Sequence, residues 1–254
     1  MSGTPAPVVA LQGICKRYGE TVALQEVSLA VHPGEVVALL GPSGAGKSSL
    51  FRCISRLVEV DAGQVRVLDH DMGLLDRRAL REQRRAIGLI FQQFNLIGRL
   101  GALNNVLAGR LGHAPTWRVV LRRFSRPDRQ LALAALDRVG LLDRAYQRAD
   151  SLSGGQQQRV AIARVLAQQS RLILADEPVA SLDPASAENV LNVLREIARE
   201  RGIAVLCSLH QTGLARRFAD RIVALRAGRV VFNAEAAKCD PRFLGTLYQA
   251  ADAA

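Results

Sequence analysis

The chain has 254 residues, 49% of them hydrophobic, with a formal net charge of +11. That apolar content can bury a substantial core, as one large α/β domain or a core with an insert, and it excludes extensive disorder away from the ends. No run approaches the roughly 18 apolar residues that a bilayer span needs, and the start, Met1 to Pro7, lacks the charged-then-apolar order of a leader, so the chain reads as cytosolic.

In chain order, residues 8–12 and 21–31 alternate apolar and polar as strands do, and Tyr18, Gly19 and Glu20 supply a turn, which predicts an antiparallel hairpin. The continuous apolar run at 36–40 suits a buried parallel strand. It feeds Gly41-Pro-Ser-Gly-Ala-Gly-Lys-Ser48, which has Walker A spacing. Glycines there let backbone N–H groups converge on phosphate oxygens at a helix N-terminus, with Ser43, Gly44, Gly46 and Ser49 completing the cradle. Lys47 would neutralise the β and γ phosphates and the Ser48 hydroxyl would ligate Mg²⁺.

Residues 65–68 and 86–91 are further strand candidates around a charged helix at 76–85. From 92 to 159 the pattern is helical without a convincing strand. Segments 103–111, 117–124 and 129–139 follow one another, the last with Leu131, Ala135, Leu136 and Val139 on one face, so an all-helical insertion is expected. Ser153, Gly154 and Gly155 would open a helix running to Leu166, with their amides facing an anion. The apolar run 171–175 ends in Asp176 and Glu177, a Walker B layout: Asp176 to hold Mg²⁺ through water, Glu177 to orient or deprotonate the attacking water.

A helix is expected from Pro184 to about Glu200, a strand at 203–208, a helix from Gln211 and a hairpin at 221–226 and 229–232. The residues from Asn233 onward read as a small appendage with a helix near 243–248. Cys15, Cys53, Cys207 and Cys239 form no Cys-x-x-Cys pair and predict free, mostly buried thiols. Positive charge is nearly all Arg and spread along the chain, which compositional bias explains. The cluster around Arg122, Arg123 and Arg126, interleaved with Trp117 and Phe124, fits a solvated helix face, a membrane-proximal surface or a nucleic-acid contact.

Leu152-Ser-Gly-Gly-Gln156, followed by Arg159, is the signature of the ABC ATPases, and from Val8 to about Phe232 the chain resembles that family. The resemblance implies an α/β P-loop (RecA-like) core with an N-terminal antiparallel β subdomain and an inserted α-helical subdomain. Residues 1–91 and 160–232 would form the core and β subdomain, 92–159 the helical part with the signature, and 233–254 the appendage. It also implies ATP and Mg²⁺ as cofactors and roles for four more residues: Gln92 as the Q-loop contact to Mg²⁺ and water, Asp183 in the D-loop, His210 as the switch histidine at the γ-phosphate, and Tyr18 stacked on adenine. In the family two cassettes bind head to tail, so Ser153, Gly154 and Gly155 would hold the γ-phosphate of a partner's ATP in a homodimer.

The stretch Phe91-Gln-Gln-Phe-Asn-Leu-Ile97, the run Asn105 to Gly112 and Leu209-His-Gln211 are similar to the ATPases of phosphonate importers. That likeness implies permease subunits, indirectly a periplasmic binding protein, and a peripheral place on the cytoplasmic face of the inner membrane, with no nucleic acid expected. An ABC ATPase of an exporter or lipoprotein-release complex is the alternative, and a soluble nucleic-acid-associated ABC ATPase a further one. Two positions depart from the phosphonate pattern, Gly101 to Asn105 and Ser208, and neither is expected to touch catalysis.

Overall fold

The computed structural model describes residues 5–115, 117 and 123–240. Two sheets are built on the alternation read from the sequence. Strand β1 (Val9–Tyr18) turns at Gly19 into β2 (Thr21–Val31) and pairs with it antiparallel; β4 (Ala62–Val67) flanks β1 on its other side and β5 (His70–Asp71) closes the order β2-β1-β4-β5. The second sheet is six-stranded. Its order is β10-β9-β3-β8-β7-β6, formed by β3 (Val36–Leu40), β6 (Ile87–Ile90), β7 (Leu172–Ala175), β8 (Ala204–Ser208), β9 (Arg221–Arg226) and β10 (Arg229–Glu235). Its internal pairs are parallel, and only β10 runs antiparallel, at the edge.

The central strands are almost wholly apolar, Ser208 at the end of β8 being the polar exception, because both faces are covered. In β3, Val36, Ala38 and Leu40 point into one core with the helical elements, whereas Val37 and Leu39 point into a second core shared with β1, β2 and helix α1 (Lys47–Ile54). β7 and β8 divide in the same way, Ile173 and Val205 to the first core and Leu174 and Leu206 to the second. A helix α2 (Arg77–Arg85), capped by the Asp76 carboxylate on the Ala79 N–H, precedes β6.

Between β6 and β7 the described residues form helices joined by turns and loops, with no strand among them. Helices α3 (Ala102–Leu107), α4 (Arg126–Arg138) and α5 (Gly154–Ala167) pack on one another through Leu103, Val106, Ala132, Leu136 and Ile162. Leu131, expected on the inner face of α4, is only half-buried; Ala132 takes that place because 132, 135, 136 and 139 have the i, i+3, i+4, i+7 spacing of one helix face and 131 lies a step of about 100° to its side. The expected helix at 117–124 falls mostly on residues outside the described ones, as does the one at 243–248. Helices α6 (Pro184–Arg201) and α7 (Thr212–Phe218) complete the core.

Helix α5 runs unbroken across residue 159, as the helix expected from Gly154 to Leu166 does, and one expected strand end moves. β10 continues to Glu235, since Asn233, Ala234 and Glu235 still pair with Val223, Ile222 and Arg221, and the Arg221 guanidinium donates to Asn233 Oδ1 at 2.7 Å. Cys53, Cys207 and Cys239 are buried, and none of the four cysteines forms a disulfide. Burial pushes the Cys53 thiol up to about 11. Among the described residues no helix is long and apolar enough to cross a membrane.

Candidate nucleotide site

The glycine loop sits where β3 leaves the sheet. Gly46 caps α1 in the left-handed region at φ 101°, and a Cβ there would collide with the Ala23 carbonyl of β2, so only glycine fits. Lys47 is 5% exposed and folds back over the loop: its ammonium donates to Gly41 O at 2.7 Å and Pro42 O at 3.1 Å. Burial holds its pKa below the ordinary lysine value, and the carboxylates of Glu177 and Asp176 act the other way. A cavity of about 380 Å³ opens beside it, lined by Tyr18, residues 21–23, residues 43–49 and Glu177. Tyr18, Ser43, Gly44, Gly46, Lys47, Ser48, Ser49 and Glu177 are thus brought together as the sequence predicts. Lys16, 5.6 Å from the Tyr18 ring centroid and paired with Asp61, braces the mouth.

A smaller cleft of about 70 Å³ adjoins, lined among others by Ser48, Arg52, Leu57, Phe91 and Asp176. Hydroxyl and carboxylate oxygens are the donors a hard divalent cation takes. Among the described residues no cluster of three or more His, Cys, Asp or Glu could hold a metal alone. The donor set fits an ion such as Mg²⁺ that draws most of its ligands from phosphates and water.

Asp176 and Glu177 follow β7 directly, and Glu177 turns into the left-handed region at φ 49°. Its Oε1 lies 2.5 Å from His210 Nε2, so the histidine beyond β8 is joined to the cavity through the glutamate. Ser208, expected not to touch catalysis, contacts both acids. Its hydroxyl donates to Asp176 Oδ1 and accepts the Glu177 N–H, both at 2.8 Å. Adjacent strands β7 and β8 make that contact, and no local motif announces it; Ser208 was visible in the sequence only as a departure from the family pattern.

Other predicted residues lie elsewhere. Ser153 caps α5 in a capping box with Gln156, and Gly154 and Gly155 pack against Leu182 and Ser186; none of the three lines the cavity of its own chain. Asp183 is exposed and caps α6 on the Ser186 N–H, and hydrogen bonding from the Ser186 hydroxyl, together with that N–H, holds its carboxyl below the usual range. Gln92 is exposed and lines neither cleft, whereas Phe91 does. One residue the sequence reading passed over is Arg164 of α5, which donates to Asn95 O at 2.6 Å and Phe94 O at 3.1 Å. Both carbonyls belong to left-handed residues in the loop after β6.

A glycine loop entering α1, paired carboxylates closing β7 and a histidine past β8 define a P-loop nucleoside triphosphatase. The chain belongs to the ABC transporter family, whose model matches residues 24–180. It is 50% identical over 239 residues to the hypophosphite import ATP-binding protein HtxD of Stutzerimonas stutzeri, covering 94% of this chain and 70% of that one. It is 53% identical over 232 residues to the phosphonates import ATP-binding protein PhnC of Frankia casuarinae, covering 91% and 92%. Among solved structures, the dimeric cassette MJ0796, described as bacterial, superposes with a TM-score of 0.78 at 36% identity over 90% of this chain and 98% of that one.

Proposed function

We propose that this chain is the ATP-hydrolysing subunit of a membrane importer for phosphonates or a closely related phosphorus oxyanion. The observation that carries it is the convergence of Tyr18, the phosphate loop and Glu177 on one cavity, with His210 on the glutamate. Tyr18 would stack on the base, and the loop amides with Lys47 would take the phosphates. Ser48, Asp176 and Gln92 would hold Mg²⁺, which would supply charge neutralisation at the phosphates. Glu177 orients and deprotonates the attacking water, and His210 supports both the glutamate and the γ-phosphate. Ser153, Gly154 and Gly155 serve the partner's nucleotide in a head-to-tail homodimer, with Asp183 at the same seam.

The cargo follows from the relatives, two of them named for phosphonate and hypophosphite import. The permease would dock against the helical part, which begins just past Phe91 at the rim of the smaller cleft. A binding protein would deliver cargo to that permease from the far side of the membrane, leaving this chain peripheral on the cytoplasmic face. We assign residues 1–91 and 160–232 to the catalytic core with its β subdomain, 92–159 to the transporter-facing helical part and 233–254 to the appendage.

Purified protein is expected to hydrolyse ATP with Mg²⁺, and Glu177→Gln to keep ATP binding while losing turnover by about 10²- to 10⁴-fold. Near-normal turnover in that variant would remove the glutamate from its role. A strain lacking this chain is expected to stop growing on a phosphonate as sole phosphorus source yet grow on inorganic phosphate; unchanged growth would move the cargo assignment elsewhere.

A further inference from the structure

Ser208 is fully buried at the C-terminal end of β8, a central strand with β3 on one side and β7 on the other. Its backbone is fixed twice over, by the Leu39–Ser208 register of β3 with β8 and by the next residue's N–H on Leu39 O at 3.1 Å. The hydroxyl therefore has little freedom of place. It uses its donor on one oxygen of Asp176 and an acceptor lone pair on the backbone of Glu177. A hydroxyl can fill both roles at once because it carries one proton and two lone pairs.

Each bond answers a distinct need. Asp176 follows a strand and lines the smaller cleft, and a donor on its Oδ1 restrains a carboxylate that could otherwise rotate. Glu177 holds a left-handed backbone that disfavours side chains with a Cβ, and a satisfied N–H supports that turn. The turn in turn brings Oε1 to His210.

We propose that Ser208 is a positioning residue for the Asp176–Glu177 pair, its hydroxyl setting both the metal-side carboxylate and the turn that presents the glutamate. This rests on the nucleotide-hydrolysing reading above and adds a residue to it. Ser208 touches neither nucleotide nor water; it acts through the two acids. Its loss should therefore appear chiefly in what depends on Mg²⁺, and leave Mg²⁺-free nucleotide binding by the glycine loop alone.

The experiment compares wild type with Ser208→Ala, Ser208→Cys, which keeps volume but is a weak donor, and Ser208→Thr, which keeps the hydroxyl. Binding of a fluorescent ATP analogue is titrated in EDTA and in increasing Mg²⁺, alongside kcat and thermal melting. For Ala and Cys, a charge-assisted bond lost should raise the Mg²⁺ concentration at half-effect about tenfold and lower kcat about tenfold, with binding in EDTA unchanged. Thr should recover both. The proposal is overturned if Ala keeps the wild-type Mg²⁺ dependence and kcat, or if Thr melts like wild type yet is as impaired as Ala. It is overturned equally if EDTA binding and melting fall along with activity, since that pattern is loss of packing. Should Thr not fold, the Ala and Cys titrations decide. Glu177→Gln in parallel tests the underlying reading separately: full turnover there sinks that reading, whatever Ser208 does.

Discussion

Two glycines of one loop, Gly44 and Gly46, differ in what holds them. Both have positive φ, +78° and +101°, but a Cβ on Gly44 would meet nothing within 4 Å, whereas one on Gly46 meets the Ala23 carbonyl and the Leu24 side chain. Gly44→Ala is therefore expected to cost about 1 kcal/mol, the backbone penalty alone. Gly46→Ala adds overpacking against β2 and should cost about 3 kcal/mol in all. Urea unfolding of the nucleotide-free protein checks this; equal costs would mean the hairpin yields freely to the loop. The glycine loop was legible from sequence because its spacing is covalent and its chemistry local. The reason Gly46 cannot change was not, since it lies in a strand contributed by a different part of the chain, as the role of Ser208 lies in the neighbour of its own strand.

At the scale of elements, the signature helix and the loop after β6 are one mechanical unit. Arg164 reaches from α5 to two successive carbonyls of left-handed residues, Phe94 and Asn95, and burial holds its guanidinium below the ordinary arginine value. A planar fork suits two adjacent acceptors, and an ammonium does not. Arg164→Lys is expected to destabilise by about 2 kcal/mol and to speed hydrogen exchange at the amides of residues 93–96. Unchanged exchange there would mean the loop holds its shape unaided. Strand and helix types were readable throughout the described core because periodicity reports burial. Ends were less so: β10 outruns its apolar residues because Asn233 and Glu235 are held by backbone pairing with β9.

For the whole molecule, the decisive point is that the two phosphate-facing glycine motifs do not meet. Residues 43–49 line the cavity and residues 153–155 do not, as the proposed division of each chain into two half-sites requires. The proposed head-to-tail dimer would join the loop of each copy to the signature of the other, a closed two-fold arrangement. Complementation separates this from a site completed within one chain. Lys47→Ala spoils the loop and leaves the signature. Gly154→Asp spoils the signature by aiming a carboxylate at phosphate, yet should fold: a Cβ there meets Leu182 and Phe94 at 3.5 and 3.9 Å, ordinary contacts, and an acid in a first helical turn is favourable. Alone, each variant should be inactive. Mixed under conditions of subunit exchange, half of the dimers pair one of each, and each such dimer holds one intact site, so roughly a quarter of wild-type hydrolysis should return. Lys47→Ala mixed with Glu177→Gln should return none, because both changes fall in the same half-site and every composite site then carries one. Recovery absent from the first mixture would assign both motifs to a single chain's nucleotide; recovery present in the second would separate Glu177 from the loop it shares a cavity with.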